Sequence, residues 1–451
     1  MFKRILVANR GEIALRVIRC LREMNIQSVL ACSEEDLDSI PAMMAQKTVC
    51  IGPAKVMDSY LNQDAVLEAA LKTGCEAVHP GYGFLSENAD FAAKCEEYGI
   101  KFIGPPSSVI RLMGDKQSAK KLMRENGVPV VPGSDGLVKN VEEALEIAEK
   151  IGYPVLIKAT AGGGGKGMRR VEDASQMERA FISAGAEAEA AFGNGDVYLE
   201  KCIVDPRHIE VQIIADKFGN VVQLGERDCS LQKRNQKLLE EAPAWNLKEP
   251  LRKKIQAAAV AAAKAAGYES AGTVEFVLDA DGNFYFIEMN TRIQVEHPVT
   301  EAVTGVDLVR EQILTAVGRP LSVKQEEISV RGHAIECRIN ALEPGKIETL
   351  HFPDGYGVRV ESHLYEGYTV SSSYDSMIAK MIVYGKDRLE AIRRLRRVLE
   401  EVIIDGIHTN VHLMYLLTCH REFIRGGFNT SCFERIEPEL REELTKVGEQ
   451  E

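Results

Sequence analysis

Short apolar runs alternate with longer amphipathic segments along the first part of the chain. An apolar run at 4–8 precedes a segment at 12–24 in which apolar residues recur every three or four positions. Further apolar runs lie near 28–32, 48–51, 77–79 and 102–103. The runs are typical of buried strands and the repeat is typical of helices. The alternation predicts a parallel, doubly wound, Rossmann-like sheet, so the N-terminal fold is α/β.

The turn after the first apolar run reads Asn9-Arg10-Gly11-Glu12. It lacks the GxGxxG sequence of dinucleotide-binding proteins, and its spacing predicts a capping box between Asn9 and Glu12. One long helix is predicted at 107–126. We place a domain boundary close to Met113, so the Rossmann-like domain is expected to span 1–113.

Two more domains are predicted downstream. Mixed strands and helices, including an alanine-rich helix at 251–266, indicate a second domain at 114–330. Strand-like runs at 333–339, 358–361, 368–370 and 378–384, followed by helices, indicate a mixed α+β domain at 331–438. A polar tail is expected at 439–451.

Composition and charge narrow the classes of function. The net charge is −12 and no long basic run is present, which argues against a nucleic-acid partner. The 10 cysteines form no CxxC pair, a pattern typical of reduced thiols. No apolar run approaches the roughly 18 residues that a membrane span needs. The sequence therefore predicts a cytoplasmic protein with no membrane partner.

A glycine-rich segment follows a strand-like run that ends at Lys158. It contains four consecutive glycines at 162–165, then Lys166 and Gly167. Glycines let backbone amides approach phosphate oxygens closely, and the lysines add positive charge. The segment is not a P-loop, because GKG replaces GK[ST]. It predicts a flexible flap over phosphates, and the alternative is a hairpin tip without function.

Two glutamates fall on opposite sides of a predicted hairpin. Asp281-Gly282 is a turn signal between two strand-like runs, and pairing about that turn brings Glu275 opposite Glu288. The two-residue period of a strand places Asn290 on the same face as Glu288. Facing carboxylates repel, and Mg²⁺ or Mn²⁺ relieves that repulsion. The alternative is that one glutamate points to solvent.

Alternating polar residues come directly after the hairpin. Arg292, Gln294 and Glu296 would share one face of an extended run, where they could hold a small planar anion and supply a base. A solvated strand edge is the alternative. By itself, the polar run at 225–237 is interpreted as surface.

Three strings together resemble the biotin carboxylases of the ATP-grasp superfamily: 3–14, 79–88 and 286–298. The resemblance extends from residue 2 to about residue 436. It implies that 114–330 form an ATP-grasp domain with a mobile glycine-rich lid at about 131–203. It also implies an ATP-dependent ligase that carboxylates biotin with bicarbonate.

The resemblance implies a site for each ligand. ATP would lie between the flap and the sheet, and Mg²⁺ or Mn²⁺ would be bound by Glu275, Glu288 and Asn290. The residues implied for nucleotide and cofactor binding are Lys116, Lys158, Gly164, Gly165, Lys166, Glu200, Lys201, Ile203, His208, Gln232 and Asn235. Those implied for bicarbonate are Lys237, Arg292, Gln294 and the backbone of Val295.

The implied chemistry starts at Glu296, the general base on bicarbonate. Bicarbonate attacks the γ-phosphate of ATP to form carboxyphosphate, which breaks down to CO₂ and phosphate. Phosphate then removes the ureido proton of biotin, and Arg338 stabilises the resulting oxyanion. Tyr82 and Asp375 are implied near the biotin pocket. The implied catalytic residues are Lys237, Arg292, Glu296 and Arg338.

Two departures from the family pattern stand out. Asn235 replaces a histidine that many members have, and the run at 340–346 is shorter than usual. The first predicts an altered nucleotide contact, and the second predicts altered docking of the biotinylated partner.

No Met-Lys-Met biotin-attachment site is present, and Ala379-Lys380-Met381 has the wrong neighbours. We therefore expect a biotin carboxyl carrier protein and a carboxyltransferase as separate partners. The resemblance also implies a homodimer, with Arg19, Glu23, Tyr356 and Arg359 at matching interface positions.

Several functions stay open at this point. The chain could serve acetyl-CoA carboxylase, and so fatty acid biosynthesis, or a pyruvate or other acyl-CoA carboxylase. Another ATP-grasp ligase that joins a carboxylate to an amine is a second reading. A silent ATP-binding regulatory subunit is a third.

Overall fold

A computed structural model describes residues 1–159 and 168–447. The N-terminal part contains β1 (Arg4–Val7), α1 (Gly11–Glu23), β2 (Gln27–Cys32), α2 (Ile40–Met44), β3 (Lys47–Cys50), α3 (Gln63–Thr73), β4 (Ala77–His79), α4 (Ala89–Glu97) and β5 (Lys101–Phe102). Its strands pair in parallel in the order β3-β2-β1-β4-β5. Ile5, Leu6 and Val7 are fully buried, as expected of a parallel strand covered on both faces. The predicted parallel, doubly wound sheet is confirmed.

The middle part is built around antiparallel strands. It contains α5 (Ser107–Gly114), α6 (Lys116–Glu125), α7 (Val141–Ile151), β6 (Val155–Ala159), β7 (Met168–Val171), α8 (Met177–Phe192), β8 (Val197–Lys201), β9 (Arg207–Ala215), β10 (Val221–Lys233), β11 (Gln236–Ala242), α9 (Glu249–Ala265), β12 (Ser270–Leu278), β13 (Phe284–Asn290), α10 (His297–Thr304) and α11 (Leu308–Ala316). Strands β7, β6 and β8 form a separate sheet. The segment that joins β6 to β7, with Gly164, Gly165 and Lys166, lies outside the described residues.

The last part adds β14 (His333–Asn340), β15 (Gly345–Lys346), β16 (Thr349–His351), β17 (Val358–Ser362), β18 (Thr369–Val370), β19 (Met377–Gly385), α12 (Arg388–Glu401), β20 (Ile403–Asp405), α13 (Val411–Cys419), α14 (Arg421–Arg425) and α15 (Cys432–Val447). Short 3₁₀ helices lie at Glu34–Asp36, Val56–Asp58, Ala174–Gln176 and Gln325–Glu327. The strand predictions for this part are confirmed to within one or two residues.

One eight-stranded sheet joins the middle and last parts. Its order is β13-β12-β9-β10-β11-β14-β19-β17. Leu239 of β11 pairs with Cys337 of β14, so the sheet continues across the predicted domain boundary at residue 330. Functional side chains from both parts therefore project from one surface.

Three predictions about local structure are wrong. Asn9 does not cap α1, because its Nδ2 donates to the carbonyl oxygens of Pro80 and Tyr82 instead. The predicted helix at 107–126 is two helices, since Asp115 is extended and its carboxylate caps α6 at Ser118 N. The predicted tail continues α15 to Val447, since Leu440 and Leu444 recur at helical spacing and are buried.

No helix among the described residues combines the length and apolar character that crossing a bilayer requires.

Candidate active site

The predicted pairing of two glutamates is confirmed. Glu275 of β12 and Glu288 of β13 are directly opposite each other. The side chain of Glu275 is 8% exposed and that of Glu288 is 40% exposed, so the alternative of a solvent-facing glutamate applies to Glu288 only in part. Asn290 Nδ2 donates to Glu275 Oε1 at 2.8 Å. The three predicted metal ligands therefore lie together.

These carboxylates fit a divalent cation. Burial and the neighbouring Glu275 raise the pKa of Glu288, so a second negative charge is unfavourable there unless a cation offsets it. His208 Nε2 lies 3.0 Å from Glu275 Oε2. Ligand atoms of His208, Glu210 and Glu275 lie within 4.8 Å of one another. They form a second set able to hold a cation, which sequence analysis missed.

Lys237 lies between Glu275 of the glutamate pair and Glu296, the predicted base. Its Nζ lies 2.7 Å from Glu210 Oε2 and 3.2 Å from Glu275 Oε1, and it also donates to Glu296 Oε1. Burial would lower the pKa of Lys237, but these three carboxylates raise it well above its usual value. The lysine is therefore a permanent positive charge between Glu275, a predicted metal ligand, and Glu296.

Glu296 lies between two cations. Its second oxygen accepts from Arg338 Nη2 at 3.1 Å. Burial would raise the pKa of Glu296, but Lys237, Arg338 and Arg227 hold it well below the usual range. Glu296 immediately precedes α10, which begins at His297 with a proline in its first turn. The carboxylate is thus fixed and charged.

The extended run predicted through Arg292, Gln294 and Glu296 is wrong. The chain bends after β13 and turns into α10, so the three side chains do not alternate along a strand. Gln294 still reaches the site, because its Nε2 donates to Glu275 Oε1 at 2.8 Å. Arg292 also borders the site, because its Nη2 donates to Asn290 Oδ1 at 3.0 Å, while its Nε donates to Glu87 Oε2 at 2.8 Å.

Arg227 is a central residue that sequence analysis missed. It is fully buried and its Nε donates to Glu210 Oε1. Its Nη2 donates to Gln294 Oε1 at 2.7 Å. A buried arginine needs such partners, and these bonds fix Glu210 and Gln294 beside Lys237.

Arg338 approaches Glu296 from β14. Its Nε donates to Glu240 Oε1 at 2.6 Å. Burial raises the pKa of Glu240 to about 7, although Arg338 opposes this. Glu336 is opposite Glu240 in the β11–β14 ladder, and burial raises its pKa well above the usual value. Arg338 therefore lies beside two buried acids whose pKa values are both raised.

The predicted nucleotide residues gather around Glu200 of β8. Lys158 Nζ donates to Glu200 Oε2 at 2.5 Å, and Lys120 Nζ, which sequence analysis missed, donates to Glu200 Oε1. Lys116 lies on the same helix as Lys120, with its Nζ 3.8 Å from Glu288 Oε2. Three lysines thus lie between the sheet of β7, β6 and β8 and Glu288, where an anionic phosphate chain would fit.

The other predicted nucleotide residues are more scattered. The side chain of Lys201 donates to the carbonyl oxygens of Gly152 and Tyr153, both at 2.8 Å, and its backbone N–H donates to the carbonyl oxygen of Pro132 at 2.8 Å. Ile203 is part-buried and Gln232 is buried.

Asn235 is exposed in the two-residue turn between β10 and β11. Its φ of 64° is a left-handed conformation that asparagine adopts readily. The turn explains why asparagine is tolerated at this position.

Tyr82 and Asp375 differ in position. Tyr82 is part-buried and its hydroxyl donates to Glu12 Oε1. Asp375 is exposed and its Oδ1 accepts from Met377 N at 2.9 Å. Among the described residues, neither side chain forms a hydrogen bond with Arg338.

Three family sequence models match the chain in succession. The model described as Biotin carboxylase, N-terminal domain, matches residues 1–110. Carbamoyl-phosphate synthase L chain, ATP binding domain, matches residues 115–324. Biotin carboxylase C-terminal domain matches residues 336–435.

Known proteins resemble the chain over nearly its whole length. Biotin carboxylase of Haemophilus influenzae is 53% identical over 443 residues, which cover 96% of this chain and 99% of that protein. A crystal structure of the biotin carboxylase domain dimer of Hydrogenobacter thermophilus 2-oxoglutarate carboxylase, with MgADP, ADP and bicarbonate, has a TM-score of 0.90 at 49% identity and covers 98% of both chains. The biotin carboxylase subunit of a pyruvate carboxylase has a TM-score of 0.86 at 48% identity, covering 98% of this chain and 99% of that one.

Proposed function

The chain belongs to the biotin carboxylase family, and from this we propose that its buried cluster of Lys237, Glu296 and Arg338 carboxylates biotin with ATP and bicarbonate. The protein is an ATP-dependent ligase, and its biotin is presented by a carrier protein. The observation that carries the proposal is the position of Glu296, held charged between Lys237 and Arg338. A base with two cations beside it suits an anion that must lose a proton.

Bicarbonate binds beside Lys237 and Gln294, and Glu296 accepts its proton. The freed oxygen attacks the γ-phosphorus of ATP, so carboxyphosphate forms and ADP leaves. Carboxyphosphate breaks its bond between carbon and the bridging oxygen, which yields CO₂ and phosphate. Phosphate takes the ureido proton of biotin, the ureido nitrogen attacks CO₂, and Arg338 stabilises the negative oxygen that develops.

We assign the remaining ligands by contact and charge. Glu275 and Glu288 would hold Mg²⁺ or Mn²⁺, with Asn290 beside them, and the ion would neutralise phosphate charge when bound. Lys116, Lys158 and the glycine-rich flap would hold the phosphates of ATP. Arg292 would complete the bicarbonate site once its contact with Glu87 is exchanged for the anion.

Release of ADP by the purified protein tests this function. We expect release with Mg²⁺ and ATP to depend on bicarbonate and to rise when free biotin is added. Binding of ATP and Mg²⁺ without any turnover would establish a silent subunit instead. Turnover that responds to a carboxylate and an amine, and not to biotin, would establish another ATP-grasp ligase.

The final acceptor and the partners form a second part of the proposal. We assign the chain to acetyl-CoA carboxylase in the cytoplasm, with a carboxyltransferase as partner and fatty acid biosynthesis as its pathway. The relatives named biotin carboxylase support this, whereas the similar subunit of a pyruvate carboxylase supports that alternative. All 10 cysteines are free thiols, in keeping with a reducing compartment. Identification of the biotinylated protein that co-purifies with the chain decides the acceptor.

We also propose a homodimer. Tyr356 is 84% exposed, and a tyrosine so exposed suits a contact surface. The guanidinium of Arg394 lies 5.4 Å from the centre of its ring. Of the other predicted interface residues, Arg359 pairs with Glu301 at 2.7 Å and Arg19 with Glu361 at 3.7 Å. Light scattering of the wild type and of Tyr356→Ala measures the mass: a monomeric wild type would refute the dimer.

A further inference from the structure

Lys380 is a fully buried lysine on β19. It is opposite Arg338 of β14 and Glu361 of β17 in the sheet ladders, so it lies on the same face as the active-site arginine. A buried ammonium group is costly unless it is paired and hydrogen-bonded. The contacts of Lys380 therefore indicate why a charged group is kept in the core at this position.

Two contacts define its position. Lys380 Nζ donates to the carbonyl oxygen of Val295 at 2.7 Å. The same Nζ lies 3.1 Å from Glu12 Oε1. Glu12 is itself buried at 3% exposure and belongs to the first turn of α1, far from β19 in sequence. The N-terminal domain thus supplies the counter-ion for a lysine of the eight-stranded sheet.

Glu12 is fixed from a second side. Its Oε1 accepts from the hydroxyl of Tyr82, so one carboxylate oxygen serves both the tyrosine and the lysine. Its Oε2 has no hydrogen-bond partner among the described residues. Retaining a buried carboxylate with one oxygen unbonded is unfavourable, which argues that the Glu12–Lys380 pair does more than fill space.

The carbonyl that Lys380 holds belongs to the peptide bond between Val295 and Glu296. This bond is planar, so fixing the direction of its oxygen also fixes the path of the backbone into Glu296. The segment is not part of a strand, and among the described residues Lys380 is the donor to the Val295 carbonyl oxygen. The lysine therefore sets where the base and the Val295 backbone meet the bicarbonate.

We propose that Lys380 is a positioning residue, which Glu12 holds in place so that it orients the Val295–Glu296 peptide for bicarbonate. This inference rests on the proposed function, since it assigns Glu296 as the base. It adds to the active site two buried groups, Glu12 of the N-terminal part and Lys380 of the last part, which do not themselves touch the reacting atoms.

Steady-state kinetics of Lys380→Met test the proposal in the full-length protein. We expect kcat/KM for bicarbonate to fall about 10-fold to 100-fold, because small displacements of a reacting group have effects of this size, with KM for ATP changed by less than about 2-fold. The double variant Glu12→Gln with Lys380→Met removes both buried charges and keeps an acceptor for Tyr82, so it secures a folded test case. It should show the same loss for bicarbonate.

Arg388→Met is the matched control, because Arg388 is also buried, at 1% exposure, at the start of α12, but pairs with Glu241 of β11. It should lower the unfolding temperature and leave KM for bicarbonate unchanged. The proposal is overturned if bicarbonate kinetics are unchanged in the folded double variant, or if KM for ATP rises as much as KM for bicarbonate. Wild-type protein without bicarbonate-dependent ADP release would overturn the proposed function, and this inference with it.

Discussion

Glu275 and Glu288 are directly opposite each other on β12 and β13, but their cationic partners lie at different distances. Glu275 is 3.0 Å from His208 and 3.2 Å from Lys237, whereas Glu288 is 3.8 Å from Lys116. Lys237 and His208 hold the pKa of Glu275 well below its usual value against the effect of burial. Burial and Glu275 instead raise the pKa of Glu288. The repulsion between the two carboxylates therefore destabilises the charged form of Glu288 more than that of Glu275. A bound cation would stabilise the charged Glu288 most.

Glu288→Gln should raise the Mg²⁺ concentration for half-maximal ADP release by about 10-fold, since it removes one anionic ligand. Titration of Mg²⁺ at fixed ATP and bicarbonate measures this. Asp281→Asn, at the exposed tip of the same hairpin, is the control and should titrate like the wild type. A chelator should stop turnover of the wild type and Mn²⁺ should restore it. Equal Mg²⁺ dependence of both variants would contradict the assigned site.

Glu296→Gln should lower bicarbonate-dependent ADP release by about 100-fold or more, because the amide cannot accept the proton. The nucleotide affinity should stay the same, since Glu296 is not among the groups assigned to ATP. Equilibrium binding of ATP and initial rates measure the two effects. Glu226→Gln, another buried glutamate, which pairs with Arg252 at 2.7 Å, should keep normal rates. Normal turnover by Glu296→Gln would refute the base.

Arg338→Gln should lower transfer of labelled bicarbonate to free biotin by about 100-fold, since a donor that stabilises developing charge is lost. ADP release without biotin should fall less, because it precedes the step that Arg338 serves. Arg338→Lys keeps the charge and loses the planar fork, and should recover only part of the transfer. Equal losses in both assays would show that Arg338 serves the first step instead.

Glu241→Gln should lower the free energy of unfolding at pH 7 by about 3 kcal/mol. Hydrogen bonds from His333 and Arg388 outweigh burial and lower the pKa of Glu241 from 4.5 to about 2. A lowered pKa stabilises the fold above 4.5, and this stabilisation is lost as the pH falls towards 2.

The difference between wild type and Glu241→Gln should therefore shrink below a pH of about 4.5. Denaturant unfolding across that range measures it. A difference independent of pH would show that the charge of Glu241 is not what stabilises the fold.

Local signals in the sequence indicated the hairpin but not its full register. Next to the turn Leu278 pairs with Phe284, one residue off the register that a two-residue turn at Asp281-Gly282 predicts, and a bulge between Glu275 and Phe276 brings Glu275 opposite Glu288. The capping prediction at Asn9 failed because its partners, Pro80 and Tyr82, lie 71 and 73 residues away in the sequence. A local pattern cannot indicate such partners.

Some of the missed residues did leave a signal. Glu210 and Gln212 alternate with Ile209 and Val211 along β9, and this two-residue period predicts a polar face. Lys120 is four residues after Lys116 and therefore shares a helix face with it. Lys380 is a single charge in an apolar strand, but its bond to Val295 depends on the tertiary fold alone.

The continuous ladder between β11 and β14 also limits how the protein can be divided. Expression of residues 1–330 alone would leave β11 as an unprotected sheet edge, with the N–H and C=O groups that Leu239 and Ala242 now share with β14 unpaired. Such an edge promotes aggregation, and the fragment would also lack Arg338. We therefore expect the ATP-binding half to be insoluble by itself, so that a functional unit must include the strands that follow it.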